Sequence, residues 1–291
     1  MVVKQPDKIE RVDLPQYFAS IEEIAKFIAE NLALIMVDPL VGFTSKPFKG
    51  RLATLHGHEV MQPTNRVARL PIWKHRRAIK DWHGPKWHVS WVEIRTDLAN
   101  DPKYDTVPYR MTYDEFKTWT PNSMPIEQEA QRAGINYDNL GEYLSRAGFQ
   151  ILWPRGRHCE QGSPDARFHP EFDISVVDGV TLKGTLTYVD SLGAFADNGG
   201  MNETSLNADL QERQIRNAVF IDLCTEYCVL SSVIQGIERG YGTMVLTDCV
   251  RPVNVNPDDE ANAFAQMYNK GTLLANTDLL IAAARLVGLM K

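Results

Sequence analysis

The chain has 291 residues, of which 44% are hydrophobic and 23% are charged, a composition typical of a globular protein with a sizeable core. Its formal net charge of −6 argues against nucleic acid as the main partner, because domains that bind nucleic acid present a basic face. No apolar run approaches the roughly 20 residues of a membrane helix, so we expect no membrane association.

The first residues, MVVKQPDKIERVD, carry no apolar run behind their positive charges and do not resemble a secretory signal. The four cysteines are irregularly spaced, unlike a disulfide framework. We therefore expect a cytoplasmic protein whose cysteines are free for catalysis, metal binding or packing. They are Cys159, Cys224, Cys228 and Cys249.

The first predicted elements are a helix and a buried strand. Ser20 and Glu23 have the spacing of a capping box, and apolar residues follow at helical intervals. The run LALIMV at residues 32–37 is continuously apolar and ends at Asp38, which predicts a buried strand with a carboxylate at its C-terminal end. In open parallel sheets, ligands bind at that end.

Further short strands are predicted at residues 180–183, 218–223, 242–247 and 272–275, with amphipathic helices at about 226–239 and 257–270. This alternation predicts an α/β fold in which helices cover both faces of a parallel sheet. We interpret residues 44–73 and 92–150 as insertions on a single domain spanning 1–291, with an N-terminal extension at about 1–30. Short helix signals lie at 112–115, 126–132 and 140–146, and such insertions often form lids or subunit contacts, which leaves a homo-oligomer open.

Histidines and a carboxylate suggest a metal site. Asp81 and His83 project to the same side of an extended segment, and His88 follows five residues later. Zn²⁺ accepts this mixture of carboxylate and imidazole, and His158, in a loop rich in glycine and proline, would complete the site. The alternative is a surface loop with solvated histidines.

Two further side chains suggest nucleophilic chemistry. Cys228 falls in the first turn of a helix that follows a buried strand, where free amides would lower its pKa. Lys183 closes another buried strand, which is unusual unless a carboxylate or thiolate lies nearby. The alternatives are a packing cysteine and a lysine that reaches water.

In chain order, these motifs resemble the nicotinamidase and pyrazinamidase branch of the isochorismatase-like hydrolases. The resemblance runs from about residue 32 to residue 283, and five motifs in a fixed order are far more specific than any one of them. They are carried by Asp38; Asp81, His83 and His88; Trp153, His158, Gly162, Pro164 and His169; Lys183, Asp190, Ser191 and Phe195; and Thr225, Glu226 and Cys228.

The resemblance implies a three-layer α/β/α sandwich with a mainly parallel, about six-stranded sheet. It also implies that Cys228 attacks a carboxamide to form a thioester, that Asp38 carries the proton, and that Lys183 stabilises the thiolate. The oxyanion hole would consist of the backbone amides of Cys224 and Cys228, beside a cis peptide bond between Leu223 and Cys224.

One divalent metal ion is also implied, with zinc as the first choice and Fe²⁺ or Mn²⁺ as alternatives. Its expected ligands are Asp81, His83 and His158, with His88 as a fourth candidate, and it would hold the pyridine nitrogen of the substrate. Phe43 and Trp153 would flank the ring. The implied activity is hydrolysis of nicotinamide to nicotinic acid and ammonia, a step of NAD salvage.

The sequence departs from the family pattern around the substrate. After Asp38 the chain reads Pro39-Leu40-Val41-Gly42, without the usual Gln and second Asp, and Asp222 stands where a glycine is usual. These departures keep two alternatives open: a hydrolase for another small carboxamide, such as pyrazinamide or a maleamate-like acid amide, or a non-catalytic ligand-binding relative.

Overall fold

The computed structural model describes residues 15–85, 88–92, 95–105, 108–112, 115, 149–154 and 156–291. Its strands are β1 (Leu32–Val37), β2 (His75–Asp81), β3 (Tyr109–Thr112), β4 (Phe149–Leu152), β5 (Gly179–Lys183), β6 (Asn217–Leu223), β7 (Gly242–Arg251) and β8 (Leu273–Ala275). Its α-helices are α1 (Ile21–Ile28), α2 (Met61–Ala68), α3 (Thr96–Ala99), α4 (Leu206–Glu212), α5 (Leu230–Glu238), α6 (Asp259–Asn269) and α7 (Thr277–Leu286). Within this described part, no helix has the length and apolar character needed to cross a membrane.

Six strands form one sheet in the order β5-β2-β1-β6-β7-β8, and all neighbouring pairs are parallel. The apolar strands β1 and β6 lie at its centre, with Val37 paired with Asp222 at their C-terminal ends. Strands β3 and β4 form a separate antiparallel pair. The predicted α/β fold with a mainly parallel, six-stranded sheet is confirmed.

The central strands of the sheet are buried on both faces. Because successive strand residues point to opposite faces, Leu34 packs in one apolar cluster and Ile35 in the other. The first cluster contains residues of α1, α2 and α7, and the second contains residues of α4, α5 and α6. The molecule is therefore a three-layer α/β/α sandwich, as predicted.

The predicted strands are present, and two differences have local causes. β2 was not predicted, because its sequence, HRRAIKD, is not an apolar run. Arg76 and Arg77 at its start form ion pairs with Asp178 and Asp209. β7 continues to Arg251, beyond the predicted end at 247, because its pairing with β6 shifts register between Phe220 and Asp222.

Helix α2 lies inside segment 44–73, where the sequence indicated only turns. Pro63 masks the helix in the sequence, but it stands in the first turn, where its missing N–H costs little. Met61 and Val67 are fully buried in the core beside the sheet. That the whole segment is an insertion stays a prediction.

The two other predicted additions are described only in part. Ser20 and Glu23 form the predicted capping box of α1, which packs against α7. Thr112 and Glu115 exchange the expected capping bonds, whereas the helices predicted at 126–132 and 140–146 lie outside the described residues, as does 1–14 of the N-terminal extension.

Met61→Ala tests whether α2 belongs to the core. Removing this fully buried side chain should lower the free energy of unfolding by about 2 to 5 kcal/mol, measured by urea denaturation. Gln62→Ala, on the exposed side of the same helix, should change it by less than about 0.5 kcal/mol. Equal small effects would show that α2 is peripheral.

Candidate active site

Four neighbouring strands deliver four reactive side chains to one edge of the sheet. Lys183 closes β5, Asp81 closes β2, Asp38 follows β1, and Cys228 lies in the helical turn Thr225–Val229 after β6. Because parallel strands end at the same edge, the strand order places these residues side by side. The sequence had singled out each of them, and the structure brings all four together.

The ammonium group of Lys183 lies at the centre of this group and is fully buried. Its Nζ lies 2.6 Å from Asp81 Oδ1, 3.0 Å from Asp38 Oδ2 and 3.5 Å from Cys228 Sγ. It also donates a hydrogen bond to the carbonyl of Ser191 at 2.9 Å. Burial works to lower the pKa of Lys183, but the two carboxylates and the thiol outweigh it and raise the pKa well above its usual range. The lysine is therefore a permanent cation.

Asp38 is suited to carry a proton. Its carboxylate accepts a hydrogen bond from the backbone N–H of Asp81 at 2.9 Å, and it is completely buried. Burial raises the pKa of Asp38 to about 6, although Lys183 opposes the shift. A carboxyl group with a pKa near neutrality both accepts and returns a proton readily.

Cys228 is a buried thiol, and the prediction that its pKa is lowered is wrong. Burial raises the pKa of Cys228 well above its usual range, and the nearby Lys183 only partly offsets this effect. The peptide bond between Leu223 and Cys224 is cis, as the resemblance implied. The thiol therefore needs a proton acceptor to become a nucleophile, and Asp38 lies across the same lysine.

Asp81, His83 and His158 have the donor arrangement of a metal site. Their potential ligand atoms lie within 4.8 Å of one another, and the two Nε2 atoms face each other at 3.2 Å. The Nδ1–H of His83 donates to the carbonyl of Gly184 at 3.0 Å, which leaves its Nε2 lone pair free. Two buried nitrogens and a carboxylate that converge in this way fit a divalent cation.

His88 lies beside this group rather than within it. Its ring stacks on that of His83 at 3.8 Å, and its Nδ1 bonds to Ser90 Oγ at 2.6 Å. His88 forms a second potential ligand group with His83 and Asp190. Its Nε2 is buried, and a role of His88 as fourth ligand stays a prediction.

A pocket opens above Cys228, Asp81 and His158. Phe43 and Trp153 line it, in the positions that were expected to flank a ring. The sequence did not reveal several other lining residues, because their approach depends on how distant loops fold. These are Leu52, Leu192, Tyr227 and Val253, whereas the other lining residues Asp190, Ser191, Leu223 and Cys224 belong to motifs that the sequence had already indicated. Except for the reactive groups at its base, the pocket presents mainly apolar and aromatic side chains.

Asp222, one residue before the cis peptide, is an unusual buried acid. It has a φ of 85°, a conformation that favours glycine, and Thr64 Oγ1 of α2 donates a hydrogen bond to its Oδ1. Burial raises the pKa of Asp222 well above its usual range, with Thr64 opposing and Asp38 reinforcing the shift. Through its bond to Thr64, Asp222 links α2 to the turn that carries Cys228.

Taken together, the side chains could support attack on a carbonyl carbon. A thiol, a proton acceptor and a fixed cation lie within reach of one another at the base of a largely apolar pocket. This is the arrangement that an activated cysteine nucleophile requires.

The chain is similar to proteins of one family in both sequence and fold. A family model for the isochorismatase domain matches residues 33–279. Nicotinamidase of Escherichia coli (strain K12) is 38% identical over 125 residues, which are 43% of this chain and only 58% of that protein. Nicotinamidase of Acinetobacter baylyi is 26% identical over 230 residues, covering 78% of this chain and 85% of that protein. The solved nicotinamidase/pyrazinamidase of Acinetobacter baumanii has a TM-score of 0.63 at 25% identity and covers 86% of this chain and 98% of its own.

Asp222→Asn tests whether folding raises the pKa of Asp222. A carboxyl group whose pKa is raised by folding costs stability once the unfolded chain can ionise. The wild type should therefore lose stability relative to Asp222→Asn as the pH rises above about 4, by up to ~1.4 kcal/mol per pH unit. Urea denaturation of both proteins at several pH values measures the difference, and a constant difference would show that Asp222 is ionised in the folded protein.

Proposed function

The chain belongs to the isochorismatase family, and we propose that it is a nicotinamidase, which hydrolyses nicotinamide to nicotinic acid and ammonia. One observation carries the proposal: the ammonium of Lys183 touches two carboxylates and the thiol of Cys228 at the base of an aromatic-walled pocket. The nicotinamidases among the relatives support the same substrate.

In the proposed reaction, Asp38 removes the proton from the Cys228 thiol while Lys183 stabilises the thiolate. The sulfur attacks the carboxamide carbon, and the negative charge moves to the carbonyl oxygen, which the amides of Cys224 and Cys228 would stabilise. Collapse of this intermediate breaks the C–N bond, and Asp38 returns its proton to the leaving nitrogen, so that ammonia departs. A water molecule then hydrolyses the thioester, releasing nicotinic acid and restoring the thiol.

Asp81, His83 and His158 would hold one divalent cation, for which zinc is the first choice among ions that accept carboxylate and imidazole ligands. Such an ion supplies a Lewis acid that binds the ring nitrogen and orients the substrate. Phe43 and Trp153 would then pack against the ring.

A second candidate is hydrolysis of another small aromatic carboxamide, such as pyrazinamide. The changed residues after Asp38 favour it, because Gly42 and Phe43 lie in the loop that borders the pocket. A non-catalytic role fits less well, since Lys183 contacts both Asp38 and Cys228, as the proposed reaction requires. The same proposal includes a cytoplasmic location and a role in NAD salvage, and it leaves a homo-oligomer open.

Cys228→Ala should reduce ammonia release from nicotinamide by about a thousandfold or more, because it removes the attacking atom. Cys249→Ala, which removes another buried thiol on β7, should retain activity. Both proteins should keep the circular dichroism spectrum of the wild type. Substantial turnover by Cys228→Ala would eliminate this residue as the nucleophile.

His83→Ala should lose the bound metal, since it removes one of three converging ligands and leaves Asp81 and His158 alone. Elemental analysis of purified protein measures the metal-to-protein ratio. His169→Ala removes a buried histidine that belongs to neither ligand group and should keep the wild-type ratio. An unchanged ratio in His83→Ala would refute His83 as a ligand.

A further inference from the structure

Glu226, two residues before Cys228, binds a loop from a different part of the chain. Its two carboxylate oxygens accept hydrogen bonds from consecutive backbone amides after β7: Oε2 from Val253 at 3.1 Å and Oε1 from Asn254 at 2.6 Å. Bonds between a carboxylate and backbone N–H groups are among the stronger hydrogen bonds in proteins. The turn that carries Cys228 and the loop after β7 are thereby joined at one side chain.

The loop is also held on its other side. Asn254 is buried with a φ of 50°, and its Oδ1 accepts a hydrogen bond from the backbone N–H of Glu260 in the first turn of α6. Side-chain bonds to free amides at a helix start stabilise that end of the helix. Residues 253 and 254 are therefore fixed between Glu226 and α6.

This fixed loop forms part of the pocket. Val253 is 6% exposed and lines the pocket together with Tyr227 and Cys228. Because Glu226 lies in the same turn as Tyr227 and Cys228, its two bonds set the position of the Val253 side chain relative to the sulfur. An apolar wall binds a flat ring best when it is already in place, since ordering it on binding would cost affinity.

We propose that Glu226 is a positioning residue that fixes the Val253 wall of the pocket against the turn of Cys228 and so determines how tightly a ring-bearing substrate binds. This inference rests on the proposed function, because the ring belongs to its aromatic carboxamide substrate. Glu226 touches neither the substrate nor the reacting atoms.

Glu226→Gln isolates this role. Glutamine has the same size, and in Glu226 each N–H bonds a different carboxylate oxygen, so the amide oxygen of glutamine would keep one of these bonds while its NH₂ group would face the other N–H. Burial raises the pKa of Glu226 to about 7 against the lowering effect of its own backbone amide and those of Asn254 and Val253, so kinetics are measured at pH 8, where most of the carboxylate is ionised.

Asp259→Asn is the matched control. Asp259 also accepts a hydrogen bond from a loop amide, that of Asn256 at 2.7 Å, but this exposed pair does not line the pocket. Asp259 raises the pKa of Glu226, so its replacement keeps Glu226 ionised at pH 8 and leaves both bonds to the loop in place. Any general effect of removing a carboxylate from this region should appear in both variants, whereas an effect on the wall should appear only in Glu226→Gln.

The expected result for Glu226→Gln is a rise in KM for nicotinamide of about tenfold, the factor that corresponds to ~1.4 kcal/mol or roughly one hydrogen bond. Its kcat should stay within about twofold of the wild type, because Cys228, Lys183 and Asp38 are unchanged. Val253→Ala should also raise KM, and the double variant should fall short of the sum of the two effects. Asp259→Asn should match the wild type.

An unchanged KM in Glu226→Gln would overturn the proposal, and so would a fall in kcat at constant KM, which would indicate an effect on the nucleophile instead. If Glu226→Gln does not fold, Glu226→Asp takes its place with the same expected result, because its carboxylate is one methylene too short to reach both amides.

A second readout separates this proposal from the proposed function. The rate of alkylation of Cys228 is measured with iodoacetamide and with an N-pyridylmethyl iodoacetamide. Glu226→Gln should lower the ratio of the rate with the ring-bearing reagent to the rate with iodoacetamide severalfold. This ratio does not require turnover. If the wild type releases no ammonia from nicotinamide, the proposed function fails, while an unchanged ratio would overturn the role of Glu226.

Discussion

One buried ammonium group determines the arrangement of this site. Removing a lysine from water is costly, and a charge buried without partners destabilises a protein by several kcal/mol. Lys183 is tolerated because Asp81 and Asp38 contact it from the ends of the next two strands. The strand order β5-β2-β1-β6 therefore matters for the chemistry, because it places the lysine, the two carboxylates and the thiol next to one another along the C-terminal edge of the sheet. The same contacts raise the pKa of Lys183 and oppose the rise in the pKa of Asp38, so that the two groups take opposite roles.

Residues around Lys183 make further contacts with the rest of the site. Asp81 pairs with Lys183 through Oδ1, while its Oδ2 lies 3.5 Å from His83 Nε2, so a single carboxylate connects the lysine beside Cys228 to the candidate metal ligands. On the other side, the turn of Cys228 is linked to α2 by Asp222 and to the loop after β7 by Glu226. The reactive centre and the pocket walls are thus parts of one hydrogen-bonded network.

Much of this account could be predicted from the sequence, and the exceptions have physical causes. The apolar runs of β1 and β6 are local signals, so they indicated the central sheet. The roles of Asp38, Lys183 and Cys228 came from the resemblance of five motifs in order to one family, since each motif alone left an alternative open. β2 is polar and α2 contains a proline, and only tertiary packing makes them a strand and a helix. Val253 lines the pocket from a loop that Glu226 binds, and this contact between distant parts of the chain is not visible in a local pattern. The pKa of Cys228 was misjudged because helix position was weighed without the cost of burial.

The central claim is that Cys228 forms a thioester with the acyl group of nicotinamide. Trapping with hydroxylamine tests it most directly, since this nucleophile competes with water for an acyl-enzyme. Turnover of nicotinamide in increasing hydroxylamine should yield nicotinohydroxamic acid in a growing proportion, with none formed in the absence of the protein. Continued release of nicotinic acid alone, with no hydroxamate at any hydroxylamine concentration, would indicate direct attack by water on the amide and would contradict the account.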